Sequence, residues 1–439
     1  MTRAILATCG WILMLAGGVM AQNQNGGVGS ASPNQAASPA VGTTGGQEAG
    51  SSFVGHGILQ PNSQDRHAPY RDNLVAIKLR TPHVRALFGG FEQGAGLPVG
   101  LEVTTADRLR GLELRARASA STRLYRRFEA GIWIPKVGDE RNHLDLWVGY
   151  RMRRQDNLFN LGPQSAATPE TNFSAEQRSL NLVFLREVTK GLQVGVYGQL
   201  ATANAYPGRE RGTDDLPIGQ MFSTDPRHPN WLPGLHTDVR TVSAGLFAEL
   251  DRRNDEVGLT RGHYLYARLA TTDGLRHDRF SDFGWRETEL DGQLYLPLGS
   301  DYTSLALRSL AILKQTRGGS QIPFYDLAWM GGRTQHRGYR NFRFRGHNLL
   351  VLTVEPRRTI IKQSETRGLD LIVFGDAGQV WGDNRPAAAA AARRFANSNW
   401  RYALGGGVQY RLNRTTAFRI DIGRGREELR AFFSVSRGF

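Results

Sequence analysis

The sequence predicts an all-β fold: a 16-stranded antiparallel transmembrane β-barrel with an inward-folded sixth extracellular loop. Three observations predict it. Segments in which apolar and polar residues alternate recur from about Val84 to the end of the chain, which is the strand signature of a membrane barrel. The connections between them tend to alternate between tight and long. Two of the segments carry an acidic residue among apolar neighbours, Glu355 and Asp376. Such a carboxylate is costly unless it faces a polar lumen or a cation.

The chain opens with an apolar run from Ala4 to Gly18, followed by small residues at Val19 and Ala21. This is the pattern of a secretory signal peptide over residues 1–21. A spanning helix needs about 18–20 apolar residues, and this run is shorter. The only cysteine, Cys9, leaves with the signal, so the exported chain has neither disulfides nor a Cys-based metal or redox site. Residues 22–83 form a low-complexity segment dominated in its first two thirds by Gly, Ser, Ala, Gln, Asn and Pro. It cannot bury enough apolar surface to offset its ordering entropy, and is read as a mostly disordered periplasmic segment. Residues 84–439 are read as the barrel.

No later window is apolar enough for a helix that crosses a membrane, and mean hydropathy is −0.40. Sixteen candidate strands cover 85–91, 97–105, 112–119, 123–134, 143–153, 176–188, 192–201, 242–250, 263–271, 285–298, 303–314, 348–357, 369–381, 402–412, 417–423 and 428–439. A soluble β-sandwich would use shorter strands, about five to six residues each. The even-numbered connections are tight (106–110, 189–191, 299–301, 413–415), whereas 155–174, 204–238 and 315–347 are long and rich in Gly, Pro and Asp. The loops after the first and third strands break this asymmetry by being short. The alanine run 387–392 reads as a short helix in the seventh extracellular loop.

Charge fits the same picture. The net charge is +15, and five of the 55 basic residues are lysine, so arginines number 55 − 5 = 50. Many fall on alternate strand positions, where they would line a lumen; others would meet anionic headgroups at the rims. A basic chain can bind nucleic acid, but an exported one does not meet it. The ten histidines show no metal-ligand spacing. Asp214, Asp215 and Asp225 read as a solvated loop, and no nucleophile motif points to an enzyme. No cofactor or metal is expected.

Parity places the two carboxylates. Leu350, Leu352 and Val354 form one apolar row, which puts Glu355 on the other with Thr353; Leu371 and Val373 put Asp376 opposite, with Asp370. Arg337 lies in the long connection before these strands, within Gly331-Gly332 … Arg337-Gly338-Tyr339. A guanidinium is a planar fork able to bridge two carboxylates, which an ammonium is not. Gly338 would permit a tight turn, and Tyr339 would pack beneath with its hydroxyl hydrogen-bonded. At the end of the chain Phe433, Val435 and Phe439 share one row with Leu429 and Ala431. Gly89, Gly90 and Gly94, with Gly438, would weaken pairing between first and last strands at a seam.

These elements in this order resemble the C-terminal barrel of the bacterial surface antigen superfamily, the BamA/TamA-type outer-membrane proteins. The resemblance covers residues from about 85 to 439. It implies that Arg337 anchors the sixth loop to Glu355 and Asp376, and that Phe433, Val435 and Phe439 belong to the signal read by outer-membrane assembly machinery. It also implies location in the bacterial outer membrane, among lipid and lipopolysaccharide. The implied function is insertion or translocation of proteins, with unfolded client proteins as partners; the alternative is a passive pore or surface structural protein. The sequence departs from the family in one respect: residues 22–83 are too few and too low in complexity for a periplasmic POTRA domain.

Overall fold

Alternation of residue type builds the wall. In a computed structural model, residues 75–78, 84–88, 96–104, 112–208, 216–225, 227–254, 261–275, 282–300, 302–364, 366–382, 394–412 and 417–436 are described. The first eight strands are β1 (Val75–Lys78), β2 (Val84–Phe88), β3 (Pro98–Thr104), β4 (Glu113–Ser121), β5 (Arg126–Ile134), β6 (Asn142–Leu158), β7 (Thr171–Thr189) and β8 (Leu192–Pro207). Next come β9 (Asp238–Asp251), β10 (Gly262–Gly274), β11 (Gly284–Pro297) and β12 (Thr303–Thr316). Inside the following long loop lie β13 (Ala328–Met330) and β14 (Phe344–Gly346). The wall resumes with β15 (Asn348–Lys362), β16 (Gly368–Trp381), β17 (Arg401–Arg411), β18 (Ala417–Arg424) and β19 (Leu429–Ser436).

All sixteen expected strands are present, each as one wall strand from β2 to β19, and consecutive wall strands pair antiparallel. The sheet differs from expectation by one member. β1 lies within the segment expected to be mostly disordered, and pairs antiparallel with β2. Val75-Ala76-Ile77-Lys78 carries two β-branched residues, but four residues give no readable period. β6, β7 and β8 run further than expected at their long-loop ends, and β6 shifts register between Arg153 and Asp156. The expected signal peptide, the 387–392 helix, Asp214, Asp215, Gly89, Gly90, Gly94, Gly438 and Phe439 lie outside the described residues.

The wall is apolar outside and ionic inside. In β18, Phe418, Ile420 and Ile422 are exposed while Arg419 and Asp421 between them are buried. Leu371 and Val373 of β16 and Val354 of β15 are likewise exposed, whereas Glu355 is 0 % and Asp376 2 % exposed. Burying the charged row and exposing the aliphatic one makes sense only against hydrocarbon. Inside, ion pairs span neighbouring strands: Arg268 of β10 with Glu287 and Glu289 of β11, Arg308 of β12 with Asp291 of β11.

At the long-loop end, one apolar cluster joins Leu158, Phe173 and Ala205 from the strand tips to Leu232 of the fourth loop (208–237) and Phe324 of the sixth (317–347). The rings of Phe173 and Phe324 meet edge to face with centroids 4.7 Å apart. Phe324 N–H donates to the Pro233 carbonyl at 2.9 Å, and Gly162 N–H of the third loop (159–170) donates to the Arg345 carbonyl at 2.7 Å. Three loops are thereby fused into one cap.

Candidate functional site

The sixth loop turns back into the lumen because both of its halves have something to pack on. β13 and β14 pair antiparallel, and Ala328, Met330, Tyr339 and Phe344 share a buried cluster with Leu310, Leu349, Val351 and Val380 of the wall. Gly331 and Gly332 have φ of +120° and +85°, conformations that L side chains rarely adopt. The turn they make lets Gly332 N–H donate to the Tyr339 carbonyl at 2.9 Å. Arg337 sits at the tip, 3 % exposed.

The structure brings together the three residues that parity and motif nominated. Arg337 gives its main-chain N–H and Nε to Asp376 Oδ2, each at 2.9 Å, and Nη2 to Asp376 Oδ1 at 2.7 Å. Its Nη1 donates to Glu355 Oε2 at 2.6 Å. The guanidinium thus forks between two adjacent strands, and its Cζ lies 3.5 Å from the centroid of the Phe374 ring. Charge-assisted bonds of this kind contribute about 1.5–3 kcal/mol each. A cation over an aromatic face adds about 2 kcal/mol when desolvated.

Sequence reasoning missed the rest of the cluster. Glu355 also accepts from Arg357 Nε at 2.6 Å and from Arg419 Nη1 and Nη2 at 3.0 and 2.9 Å. Arg419 Nε in turn reaches Asp421 Oδ2 at 2.7 Å. Thr353 Oγ1 donates to Asp376 Oδ1 at 3.0 Å. Three guanidiniums and three carboxylates therefore balance, which is what allows so many charges to be buried. Inward parity could have nominated Arg357 and Arg419, yet many other arginines share that row. The β15–β16 ladder omits Glu355 and Pro356, and Pro356 has no N–H to give.

The loop also reaches the end of the chain. Arg343 donates from Nε and Nη2 to Glu427 at 2.8 and 2.7 Å, and from Nη1 to Ser165 Oγ at 2.7 Å. Arg340 donates to Glu428 at 3.1 Å and also pairs with Glu170. The Tyr339 hydroxyl accepts from Arg426 N–H at a long 3.4 Å. Burial lowers the pKa of His336, opposed by Asp376, which favours the neutral ring; Nε2 donates to the Arg401 carbonyl at 2.9 Å.

Close backbone approach makes Gly338 specific. A Cβ there would lie 2.4 Å from the Ala403 Cβ and 2.9 Å from Gly425, both closer than atoms can come. Gly338→Ala is therefore expected to lift the Arg337 tip away from the wall and destabilise the folded barrel by about 1–3 kcal/mol. A lower unfolding midpoint in detergent would show it, and an unchanged midpoint would count against the close packing.

On the last strand, Phe433 is half-buried in the outward row, stacked on Phe418 at 6.4 Å between centroids, and Val435 is buried. Phe432 and Ser434 face inward and are buried.

Residues 110–428 match the sequence profile of the Omp85 superfamily domain. Among solved structures, BamA from Haemophilus ducreyi lacking POTRA domains 1–3 matches with a TM-score of 0.59 at 13 % identity, over 85 % of this chain and 76 % of that one. CdiB from Escherichia coli matches with a TM-score of 0.51 at 12 % identity, over 86 % of this chain and 69 % of that one. At such identities the likeness is one of fold. No curated protein matches the chain. With an apolar girdle outside, an ionic lumen inside and a family profile spanning most of its length, the chain belongs to the Omp85 superfamily of outer-membrane β-barrels.

Proposed function

We propose that the protein assists insertion of membrane proteins, or translocation of a polypeptide, through or beside a barrel whose sixth loop is held inside the lumen. The observation that carries this reading is the Arg337 clasp, with the loop above it fused into an apolar cap. A loop seated in this way narrows the lumen against free diffusion, and members of this superfamily such as BamA and CdiB insert or translocate proteins. Arg337, Gly338, Tyr339, Glu355 and Asp376 act here as a structural anchor and not as catalytic groups.

In this reading unfolded client proteins approach the barrel wall, and lipid and lipopolysaccharide contact its apolar outer face. Phe433, Val435 and Phe439 serve the protein's own insertion by the outer-membrane assembly machinery.

Two measurements on purified protein test this. In planar bilayers, small or flickering conductance is expected, and in liposomes the protein should speed the folding of a second, unrelated barrel. A large, stable conductance with no effect on client folding would replace this reading with a passive pore. Small conductance with no effect on folding or export would leave a surface structural protein.

A further inference from the structure

The strand added ahead of the expected sixteen occupies a particular edge. β2 pairs with β3 on one side, and on its other side with β1, over Val75↔Phe88, Ala76↔Leu87, Ile77↔Ala86 and Lys78↔Arg85. From β2 to β19 the wall makes fifteen antiparallel steps. An odd number of steps leaves β19 running opposite to β2, the polarity it needs to pair there. β1 has the same polarity on the same edge. Over residues 85–88 both edges of β2 are taken, one by β1 and the other by β3.

We propose that residues 75–78 are a built-in occupant of the first strand's free edge, competing with the last strand for the seam. The physical reason is the solvent. Unpaired N–H and C=O groups on a strand edge are expensive in hydrocarbon, where water cannot satisfy them. A four-residue strand covers four of the five residues of β2, Arg85 to Phe88, and leaves only a short edge of its own. Pairing so brief is reversible, so the edge is protected without being sealed. β2 has one such edge, and β1 and β19 cannot hold it together.

Cysteine cross-linking tests this without reference to what the barrel handles. Cys9 is the only native cysteine; it is replaced by serine to give the background. Paired residues in either kind of antiparallel position have Cα atoms ~4.5–5.5 Å apart, inside the range a disulfide spans. Ile77→Cys with Ala86→Cys is expected to cross-link under mild oxidation in outer-membrane fractions. Ala86→Cys with Ala431→Cys or Phe433→Cys should cross-link weakly. Ala76→Pro removes a donor and bends the segment away. It should abolish the first cross-link and raise the second at least several-fold. If residue 86 joins β19 equally well with and without Ala76→Pro, the proposal is overturned. The same holds if Ile77→Cys never cross-links to Ala86→Cys in protein that is folded by heat-modifiability. Neither result depends on whether the barrel inserts clients, conducts ions or does neither.

Discussion

Arg337→Ala is expected to lower the stability of the folded barrel by about 3–5 kcal/mol, the usual cost of removing one partner from a buried ion pair. The two carboxylates should not suffer equally. Asp376 loses two of its four hydrogen bonds and keeps the main-chain N–H of residue 337 and Thr353, but no cation, whereas Glu355 loses one of four and keeps Arg357 and Arg419. Adding Asp376→Asn to Arg337→Ala should therefore recover more stability than adding Glu355→Gln. Arg337→Lys should recover little, because a point charge cannot reproduce the fork. Urea midpoints in detergent, or the temperature at which the compact band is lost on gels, measure all of these. An Arg337→Ala barrel as heat-resistant as the parent would refute the clasp.

Glu355→Gln should have an effect of the same order, for the opposite reason. It removes the negative charge, and one of the two acceptor oxygens, that three guanidiniums share, and the cluster becomes positive by one. Arg337 keeps Asp376 and Arg419 keeps Asp421. Arg357 loses its ion pair with Glu355 and keeps its place over the Tyr295 ring, 5.5 Å from the centroid. The expected result is a loss of about 3–5 kcal/mol, with partial recovery when Arg357→Met is added to Glu355→Gln. A double-mutant cycle on the pair should give a coupling of roughly 0.5–3 kcal/mol; strict additivity would mean that Arg357 and Glu355 do not share the burial cost.

The wall was legible because lipid imposes a strict rule on it. Each strand inside the hydrocarbon must show apolar groups on one row, so period-two patterning gave all sixteen segments and the inward parity of Glu355 and Asp376. Where lipid stops, the rule stops. The tips of β6 and β7 read as loop in sequence because Gln155-Asp156-Asn157 and Thr171-Asn172 have no apolar row to keep. The cap was invisible for a related reason: Leu232, Phe324 and Leu158 belong to short apolar groups with no strand or helix period, set beside Pro or Gly in long loops, and only folding gathers them. β1 was missed through its brevity. Within the site, Arg337 stood out because its loop carries a motif. Arg357 and Arg419 did not, because an inward arginine is common in this chain and parity alone cannot say which neighbour it meets across the lumen.

The ionic cluster around Glu355 also constrains the order of assembly. Its members run from Arg337 to Asp421, so every bond in it belongs to the last quarter of the chain to leave the ribosome and to be exported. The ladders from β2 to β12 can zip locally, each with its sequence neighbour, before any of these bonds exists. The sixth loop, by contrast, is gripped from β15, β16 and β18 and tied to the turn before β19. It cannot be threaded into a finished cylinder through that crowd of contacts, so it must be seated while the final strands are still curling round it. The clasp is thus completed late in biogenesis: a chain truncated or stalled before β18 would hold Arg337 by Glu355 and Asp376 alone, without Arg419 beside Glu355 and without the Glu427 and Glu428 ties to the loop.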